Sequence, residues 1–526
     1  MIQNLNNFEQ AAHWLQSKTR GKLTVDSRQA EAGDAFIAWP GYAHDARAFV
    51  ATAIDQGAVA CLVEQEGVED FNNNWNENKV ASYRGLKTAC GYIADAYYEH
   101  PSDSIKVLAV TGTNGKTSIA WWLSAALAKL ETRCGVIGTL GVGEVSASIV
   151  KGKAKESLNN FEVNGLTTPD PLTLQKSLKQ FKESGVQYCA IEASSIGIAE
   201  HRLGGTKINT AIFTNLSRDH LDYHKNMDDY WSAKSALFEL PDLVCAVINV
   251  DDLKGKELSL RLKSKNDPKL KIIQISELGF GELNASEISY PNSKGGLGFK
   301  VSLKNESGNN QTALINTQLV GRYNVSNLLC VIATLTQLGF EFEKVVKACE
   351  DLPPVIGRME RIGEGGATQP IVIVDYAHTP DALEKALLSL RPLTQGGGEL
   401  HCLIGCGGDR DSGKRPEMAQ VAYKHSDKVI FTADNPRTEN PQSIINEMLS
   451  GIAGLDTTKV VTEPSRSLAI EQLIQQAKDG DVVLLAGKGH ENYQEINGVK
   501  NVFSDAEEAE RVLARLRSGN SYRRCA

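Results

Sequence analysis

Residues 110–118 read "VTGTNGKTS", and the interpretation of the whole chain starts from them. The apolar run "IKVLA" comes before them at residues 105–109, and the apolar-rich stretch "IAWWLSAALAKL" follows at residues 119–130. A strand-like run, a Gly-rich turn and a helix-like run in this order are typical of a loop that binds nucleotide phosphates. The stretch therefore predicts a phosphate loop at the carboxyl end of a strand.

The residues inside this turn suit a triphosphate and its metal ion. Gly112 and Gly115 let backbone amides approach phosphate oxygens. Lys116 brings a cation to the outer phosphates, and the Thr117 hydroxyl is a ligand for Mg²⁺. Val110 stands where the usual pattern has a glycine, so the loop is a variant. A plain Gly-rich helix start would explain the glycines but not the lysine and threonine that follow them.

From Ile105 onward, apolar strand-like runs alternate with amphipathic helix-like runs. The apolar runs include "VQYCAIEAS", "TAIFTNL" and "VCAVINV" between residues 186 and 250, and "IVIVDYA", "LHCLIGC" and "DVVLLAG" after residue 370. This alternation predicts the α/β class, with mainly parallel sheets that helices cover on both faces. Near residues 270–320, "KIIQIS" and "LGFKVSL" predict antiparallel additions joined by turns.

Two proline-marked breaks divide the chain. They are "HPSDS" at residues 100–104 and "DLPPVIG" at residues 351–357. We therefore expect three α/β domains. Their predicted ranges are residues 1–102, 103–352 and 353–526.

Composition limits the functional classes. The 526 residues carry a formal net charge of −8, so no overall basic field attracts nucleic acid. No apolar run is long enough to cross a bilayer, and "MIQNLNNFEQ" lacks the pattern of a secretory signal. The ten cysteines are scattered, and the closest pair, Cys402 and Cys406, does not have zinc-site spacing. These features predict reduced thiols in a cytoplasmic protein.

A phosphate loop fits two classes, a nucleotide-dependent switch and an enzyme that uses ATP. A guanine-specific switch would carry Asn-Lys-x-Asp, and the sequence has no such motif. Glu192 ends a predicted strand, and His220 follows another in "TNLSRDHLDYH". Because ligands bind at the carboxyl ends of such strands, both residues favour an active site.

Lys234 lies among apolar residues in "YWSAKSALF", residues 230–238. One interpretation is a lysine whose stem packs on an amphipathic helix while its ammonium reaches water, and this segment alone favours it. The other is a desolvated amine with a lowered pKa that adds CO₂, forming an anionic carbamate able to hold Mg²⁺.

The segment "DNPR", residues 434–437, ends the strand-like run "KVIFT". Such residues often do no more than form a turn. They also suit a site in which the Arg437 guanidinium holds a carboxylate.

Taken together, the motifs resemble those of the Mur ligase family over nearly the whole chain. In order they are "DSR" (26–28), "TGTNGKTS" (111–118), "TTPD" (167–170), "EASS" (192–195), "NLSRDHLDYH" (215–224), "YWSAKSALF" (230–238), "GRYNVSNLL" (321–329), "GRMER" (357–361), "DYAHTPDALEKAL" (375–387), "GCGGDRDSGKRPEM" (405–418), "DNPR" (434–437) and "GKGHENYQ" (487–494).

The resemblance implies a reaction in cytoplasmic peptidoglycan precursor synthesis. ATP would phosphorylate the side-chain carboxylate of the D-glutamyl residue in UDP-N-acetylmuramoyl-L-alanyl-D-glutamate. The amine of an amino acid would then attack the acyl phosphate. The resemblance also implies Mg²⁺, a CO₂-derived carbamate on Lys234, and a monomer with neither nucleic-acid nor membrane partners. It further implies an N-terminal UDP-binding domain, a central ATP-binding domain and a C-terminal Rossmann-like domain for the amino acid.

The same resemblance implies four sets of site residues. The catalytic set is Lys116, Glu192, His220 and Lys234, of which Glu192, His220 and carbamylated Lys234 join Thr117 around the metal. The ATP set is Gly112, Thr113, Asn114, Gly115, Lys116, Thr117, Ser118, Asn324, Arg358, Asp375 and His378. The UDP-muramyl-dipeptide set is Val25, Ser27, Tyr42, Ala43, His44, Thr167, Thr168, Ser194, Glu200 and Arg202. The set for the amino acid is Arg410, Asp434, Asn435, Pro436, Arg437, Gly487 and Glu491.

Two positions depart from the family's pattern. Ile196 stands where the family usually has histidine, and Glu200 stands where it often has glutamine. Ile196 removes a donor beside the substrate, and Glu200 adds a negative charge there.

In this family "DNPR" marks ligases that add meso-diaminopimelate. The distal end of diaminopimelate carries a carboxylate, which Arg437 can hold, and an ammonium, which Glu491 can pair with. L-Lysine, the alternative amine, has no second carboxylate and would leave Arg437 unpaired. A folylpolyglutamate-synthetase-like ligase is a lower alternative, because such enzymes lack the N-terminal UDP domain.

Overall fold

The computed structural model describes residues 2–41, 44–71, 75–145, 161–163, 165–292, 295–304, 310–363 and 369–523. These residues form three main β-sheets, each covered by helices, and one small hairpin. No helix in this described part is both long and apolar enough to cross a membrane.

The first sheet lies in the N-terminal part of the chain. Its five strands are all parallel and lie in the order β1-β5-β4-β3-β2. Helices α1 and α3 pack against each other on one face, because Leu15 and Ile93 are among the apolar residues that they bury. The strands are β1 Gln3–Leu5, β2 Leu23–Thr24, β3 Ala35–Ala38, β4 Ala60–Glu64 and β5 Val80–Tyr83. The helices are α1 Phe8–Lys18, α2 Val50–Asp55 and α3 Leu86–Tyr97.

The second sheet has ten strands in the order β15-β14-β13-β12-β11-β10-β6-β9-β7-β8. Strand β6 carries the phosphate loop, and its neighbours β9 and β10 both follow later in the chain. The strands are β6 Lys106–Thr111, β7 Cys134–Gly138, β8 Gly141–Glu144, β9 Tyr188–Glu192, β10 Ile208–Phe213, β11 Cys245–Asn249, β12 Lys271–Ser276, β13 Leu283–Ser289, β14 Gly298–Lys304 and β15 Asn310–Asn316.

One sequence expectation about this sheet is wrong. Strand β12, "KIIQIS", pairs parallel to β11, whereas β14 is antiparallel to both of its neighbours, as expected for "LGFKVSL". The parallel direction follows from the connection, because helix α8 lies between β11 and β12 and returns the chain to the same edge.

Helices cover both faces of the second sheet. Helix α4, which follows the phosphate loop, is buried along most of its length, and Trp121 and Trp122 are 0% and 1% exposed. Such a helix is apolar on all sides because the strands of the sheet, α9 and α10 all pack against it. The helices are α4 Lys116–Lys129, α5 Pro171–Glu183, α6 Ser195–Ala199, α7 Met227–Ser235, α8 Leu253–Ser264, α9 Asn324–Gln337 and α10 Phe342–Glu350.

The third sheet has six strands in the order β16-β17-β21-β18-β19-β20, and all pairs except β16–β17 are parallel. The strands are β16 Glu360–Ile362, β17 Ile371–Asp375, β18 Leu400–Ile404, β19 Lys428–Phe431, β20 Val460–Thr462 and β21 Val482–Ala486, and the hairpin consists of β22 Tyr493–Ile496 and β23 Val499–Val502. The helices are α11 Pro380–Leu390, α12 Lys414–His425, α13 Pro441–Ser450, α14 Arg466–Gln476 and α15 Asp505–Arg523.

Candidate active site

The phosphate loop joins β6 to α4, and its two key glycines have conformations that other residues rarely adopt. Gly112 has φ 145° and Gly115 has φ 91°. A Cβ atom on Gly112 would lie 1.8 Å from the Thr214 hydroxyl, and one on Gly115 would lie 2.5 Å from the Asn327 side-chain oxygen. The loop therefore needs glycine at both positions.

The end of β9 meets the first turn of α4, as predicted. Thr117 Oγ1 donates to Glu192 Oε2 at 2.9 Å, and Glu192 Oε1 accepts from the Thr139 backbone at 2.8 Å. Lys116 Nζ bends back over the loop and donates to the carbonyls of Gly112 and Thr113 at 3.0 and 2.9 Å. Burial lowers the pKa of Lys116, against the opposing effect of the Glu192 carboxylate.

The other predicted loop residues are held by the segment after β10. The Asn114 backbone donates to the Asn215 side chain at 3.1 Å, and the Thr113 hydroxyl lies 3.2 Å from the Tyr230 hydroxyl. Ser118 is buried in the first turn of α4.

Lys234 lies beneath the phosphate loop and not at the surface. Its side chain is 1% exposed, and Nζ donates to the Gly112 carbonyl at 2.8 Å. The ammonium also lies 4.4 Å from the centre of the Tyr230 ring. Burial, helped by the charge of Lys116, lowers the pKa of Lys234 well below its ordinary value. The geometry therefore contradicts the surface interpretation of this lysine.

His220 lies in the same cluster, with its Nε2 atom 3.5 Å from Asp219 Oδ2. His378 Nε2 lies 3.7 Å from the same oxygen, so Asp219 links the two predicted histidines. Burial lowers the pKa of His220 to about 4, although Asp219 opposes the shift. Burial favours a higher pKa for Asp219, but its interactions with His378 and His220 outweigh this effect and hold the pKa below its ordinary value. Asp219 directly precedes His220 but is not among the site residues predicted from the sequence.

The residues predicted around adenosine come from α9 and from the start of the third sheet. Asn324 is buried and accepts from Asn327, which faces Gly115. The Arg358 guanidinium lies 4.3 Å above the Tyr376 ring and donates to Thr117 Oγ1 at 3.2 Å.

Asp375, at the end of β17, completes this group. Its carboxylate accepts from the backbones of Met359 and Ala377 at 2.7 and 2.9 Å. Burial raises the pKa of Asp375, against the charge of Arg358. Half-buried Arg358 and buried Asp375 thus lie in one corner beside the phosphate loop.

Four of the residues predicted to meet the muramyl peptide form one cluster beside Glu192. Thr168 Oγ1 donates to the Glu192 carbonyl at 2.7 Å and lies 3.0 Å from Ser194 Oγ. Arg202 donates to the Thr168 carbonyl at 2.9 Å, and Thr167 accepts from Thr139, which also contacts Glu192.

The charge of Glu200 is compensated. Lys87, on α3, lies 2.6 Å from Glu200 Oε2, and the Tyr223 hydroxyl donates to the other oxygen. Burial opposes ionisation, but these two partners hold the pKa of Glu200 below its ordinary value. Ile196, on α6, is half-buried.

The predicted UDP residues lie in the first sheet's loops. Val25 packs against the core beneath β2, and Ser27 begins the short turn that Asp26 caps. His44 is exposed, and Tyr42 and Ala43 lie outside the described residues. Val25, Ser27 and His44 therefore lie apart from the phosphate-loop cluster, beside a separate sheet.

The residues predicted to hold the amino acid meet at the carboxyl edge of the third sheet. Asn435, which is 2% exposed, donates from Nδ2 to Glu491 Oε2 at 2.8 Å. Gly487 has φ 111°, and a Cβ there would lie 2.6 Å from Asp434 Oδ2. Lys488, which the sequence analysis missed, is 0% exposed and contacts both Asn435 and Glu491.

Arg437 has φ 51°, and hairpin β22–β23 fixes its backbone, because its amide donates to the Glu495 carbonyl at 3.0 Å. Its guanidinium donates to the Gly408 carbonyl at 2.7 Å and lies 3.6 Å from the Glu495 carboxylate. The stem of Arg410 and the guanidinium of Arg437 both lie near Gly407. Pro436 occupies the turn, and its carbonyl accepts from the Glu439 backbone.

Polar contacts join the second and third sheets around the phosphate loop. Asn114 donates to Asp381 on α11 at 3.3 Å. Further out, Arg218 pairs with Glu417 at 2.6 Å, and Arg410 pairs with Asp222 at 3.2 Å. Each of these two ion pairs has an arginine that is about half exposed, 41% for Arg218 and 54% for Arg410.

Comparison with known proteins identifies the family. Residues 110–335 match the Mur ligase middle domain, and residues 357–489 match the Mur ligase, glutamate ligase domain. A relative from Acidovorax sp. (strain JS42), named UDP-N-acetylmuramoyl-L-alanyl-D-glutamate--2,6-diaminopimelate ligase, is 47% identical over 98% of this chain and 98% of its own. This chain belongs to the Mur ligase family.

Other Mur ligases agree with this assignment. A relative of the same name from Janthinobacterium sp. (strain Marseille) is 43% identical over 95% of this chain and 96% of its own. A solved structure of a ligase of that name is 33% identical, with a TM-score of 0.62, and the match covers 94% of this chain and 95% of that one. The predicted family, the α/β class and the class of ATP-dependent amide-bond ligase are confirmed.

Proposed function

We propose that this Mur ligase joins meso-diaminopimelate to the D-glutamyl side-chain carboxylate of UDP-N-acetylmuramoyl-L-alanyl-D-glutamate. The observation that carries the proposal is the cluster of Asn435, Arg437 and Glu491 at the carboxyl edge of the third sheet. The relatives named for this reaction support it, because they match almost from end to end. That coverage takes in most of residues 1–102, the part of the chain that a folylpolyglutamate-synthetase-like ligase lacks.

The first step brings two anions together, the ATP triphosphate and the D-glutamyl carboxylate. A carboxylate oxygen attacks the γ-phosphorus, ADP leaves, and an acyl phosphate forms. Lys116 and Arg358 supply positive charge on either side of Thr117, where the outer phosphates would lie. In the second step the amine attacks the acyl carbon, and the tetrahedral intermediate expels phosphate.

Mg²⁺ would be bound by Thr117, Glu192, His220 and a carbamate on Lys234. Thr117 Oγ1 and Glu192 Oε2 already lie 2.9 Å apart, and hydroxyl and carboxylate oxygens are the ligands that Mg²⁺ prefers. As an ammonium, Lys234 would repel the ion, whereas its carbamate would provide oxygens in the same place. When bound, Mg²⁺ neutralises phosphate charge.

The muramyl peptide occupies the cluster beside Glu192, and UDP lies toward the first sheet. Thr167, Thr168, Ser194, Glu200 and Arg202 line the peptide's side of the site. The UDP residues are Val25, Ser27, Tyr42, Ala43 and His44.

Amine selection depends on Arg437. Its guanidinium holds the distal carboxylate of diaminopimelate, with Arg410 as a second cation, and Glu491 pairs with the distal ammonium. Asp434, Pro436 and Gly487 shape the turn around the ligand. L-Lysine has no distal carboxylate for the guanidinium to hold, so it gains nothing from Arg437 beyond the contacts with Gly408 and Glu495 that are already made.

Each ligand has its own domain in this proposal. Residues 1–102 bind UDP, residues 103–352 bind ATP and residues 353–526 bind the amino acid. The enzyme acts in the cytoplasm and is a monomer. The contact of Asn114 with Asp381 supports closure of the last two domains over ATP.

The test is ADP release by purified protein with ATP, UDP-muramyl-dipeptide and a panel of amines. We expect turnover only when ATP, the dipeptide and meso-diaminopimelate are all present. Full ATP turnover without the dipeptide would indicate a switch or another ATPase. Equal use of L-lysine would refute the proposed amine but not the ligase.

A further inference from the structure

Lys488 is a buried cation directly beneath the proposed amine site. It lies just after β21 and is 0% exposed. Its Nζ atom donates to Asn435 Oδ1 at 3.1 Å and to Glu491 Oε2 at 3.0 Å, and it lies 5.7 Å from the centre of the Tyr493 ring. A buried ammonium with two such partners is part of the site's construction and is not a surface charge.

The lysine determines which way the Asn435 amide faces. Asn435 Oδ1 accepts from Lys488 Nζ and also from the Glu495 backbone at 2.9 Å, and both of these groups only donate. Asn435 Nδ2 donates to Glu491 Oε2 at 2.8 Å. Because a flipped amide would oppose both donors, Asn435 offers a ligand only its remaining N–H, which suits a carboxylate oxygen.

The lysine also determines which part of Glu491 is available. Glu491 Oε2 accepts from both Asn435 and Lys488, so Oε1 is the oxygen left to meet a ligand's ammonium. The Glu491 side chain is 17% exposed, so contacts with the protein hold most of its surface.

We infer that Lys488 is a positioning residue that sets amine specificity by orienting the side chains of Asn435 and Glu491. The inference rests on the proposed function, since it assigns the distal carboxylate and the distal ammonium of diaminopimelate to separate groups. Lys488 does not touch the amine, so its effect passes through Asn435 and Glu491.

The test compares meso-diaminopimelate with 2-aminopimelate, which keeps the distal carboxylate and lacks the distal ammonium. Lys488→Met keeps the apolar stem and removes the charge. We expect the KM for meso-diaminopimelate to rise about ten- to a hundred-fold, as for loss of a charged hydrogen bond. The KM for 2-aminopimelate should rise less, because this amine has only the Asn435 contact to lose, while kcat and the KM for ATP stay near wild type.

Lys500→Met is the matched control. Lys500 is exposed and lies 4.4 Å from the centre of the same Tyr493 ring, but it belongs to hairpin strand β23. We expect wild-type kinetics from it. If Lys488→Met proves insoluble, Lys488→Gln serves for the same comparison, because its amide keeps a donor without the charge.

A double mutant separates positioning from general stability. If Lys488 acts through Glu491, then Lys488→Met should add little to the defect of Glu491→Gln. Additive losses, or equal losses for both amines, would overturn the inference, and so would an unchanged KM for meso-diaminopimelate. A wild-type protein that does not use meso-diaminopimelate at all would instead refute the proposed function.

Discussion

Replacing Arg437 with alanine removes the guanidinium that is proposed to hold the distal carboxylate of diaminopimelate. The side chain is 22% exposed, so water only partly screens the interaction. A hydrogen bond to a charged group contributes about 1.5–3 kcal/mol. At 1.4 kcal/mol for each factor of ten, the KM for meso-diaminopimelate should rise about ten- to a hundred-fold.

The remaining contacts of Arg437 determine what else changes. Loss of its bond to the Gly408 carbonyl frees one edge of the turn, but the backbone bonds to hairpin β22–β23 stay in place. The KM values for ATP and UDP-muramyl-dipeptide should therefore remain near wild type. Arg437→Lys should restore binding only in part, because an ammonium lacks the planar pair of donors.

The assay is steady-state ADP release with meso-diaminopimelate as the varied substrate. Arg511→Ala is the control, since Arg511 is 40% exposed on α15 and pairs with Glu508. A KM for Arg437→Ala within about twofold of wild type would mean that Arg437 only forms a turn. Use of L-lysine by the wild type as well as meso-diaminopimelate would refute the same reasoning.

Three further predictions concern the phosphate-loop side of the site. Lys234→Ala should lose nearly all activity with an unchanged circular dichroism spectrum, and short carboxylic acids should restore part of it; an active alanine variant would exclude the carbamate. His220 has a pKa lowered to about 4, so its imidazole should stay neutral as the pH falls from 8 to 5. Histidine NMR measures this, with His220→Gln to assign the signal, and protonation near pH 6.5 would contradict the prediction. Lys87→Met should remove the cation that pairs with Glu200 and so raise the KM for UDP-muramyl-dipeptide. Adding Glu200→Gln should reverse that rise, and no reversal would show that the charge of Glu200 is not the cause.

Much of the fold could be predicted because strands and crossover helices have different hydrophobic periods. The exception, β12, shows the limit of that signal. Six apolar-rich residues look alike in parallel and antiparallel strands, and the direction follows from the preceding helix α8. The domain boundaries stay predictions.

The candidate site was predictable where it depends on strand ends. Glu192 meets Thr117 because β9 and β6 are parallel neighbours, so their carboxyl ends coincide. Contacts between distant segments were not predictable, since nothing in one sequence pairs Lys87 with Glu200 across 113 positions. The burial of Lys234 and the position of Lys488 likewise depend on packing that a local pattern does not contain.

The ion pairs between the second and third sheets bear on how fast the enzyme can work. The Arg218–Glu417 and Arg410–Asp222 pairs are partly exposed to water, and each such pair contributes about 0–1 kcal/mol to stability. An interface held this weakly at its rim separates at little cost, which suits a catalyst that must admit an amino acid and release a larger product in every cycle. Added salt should weaken these exposed pairs further and so make separation of the two sheets easier.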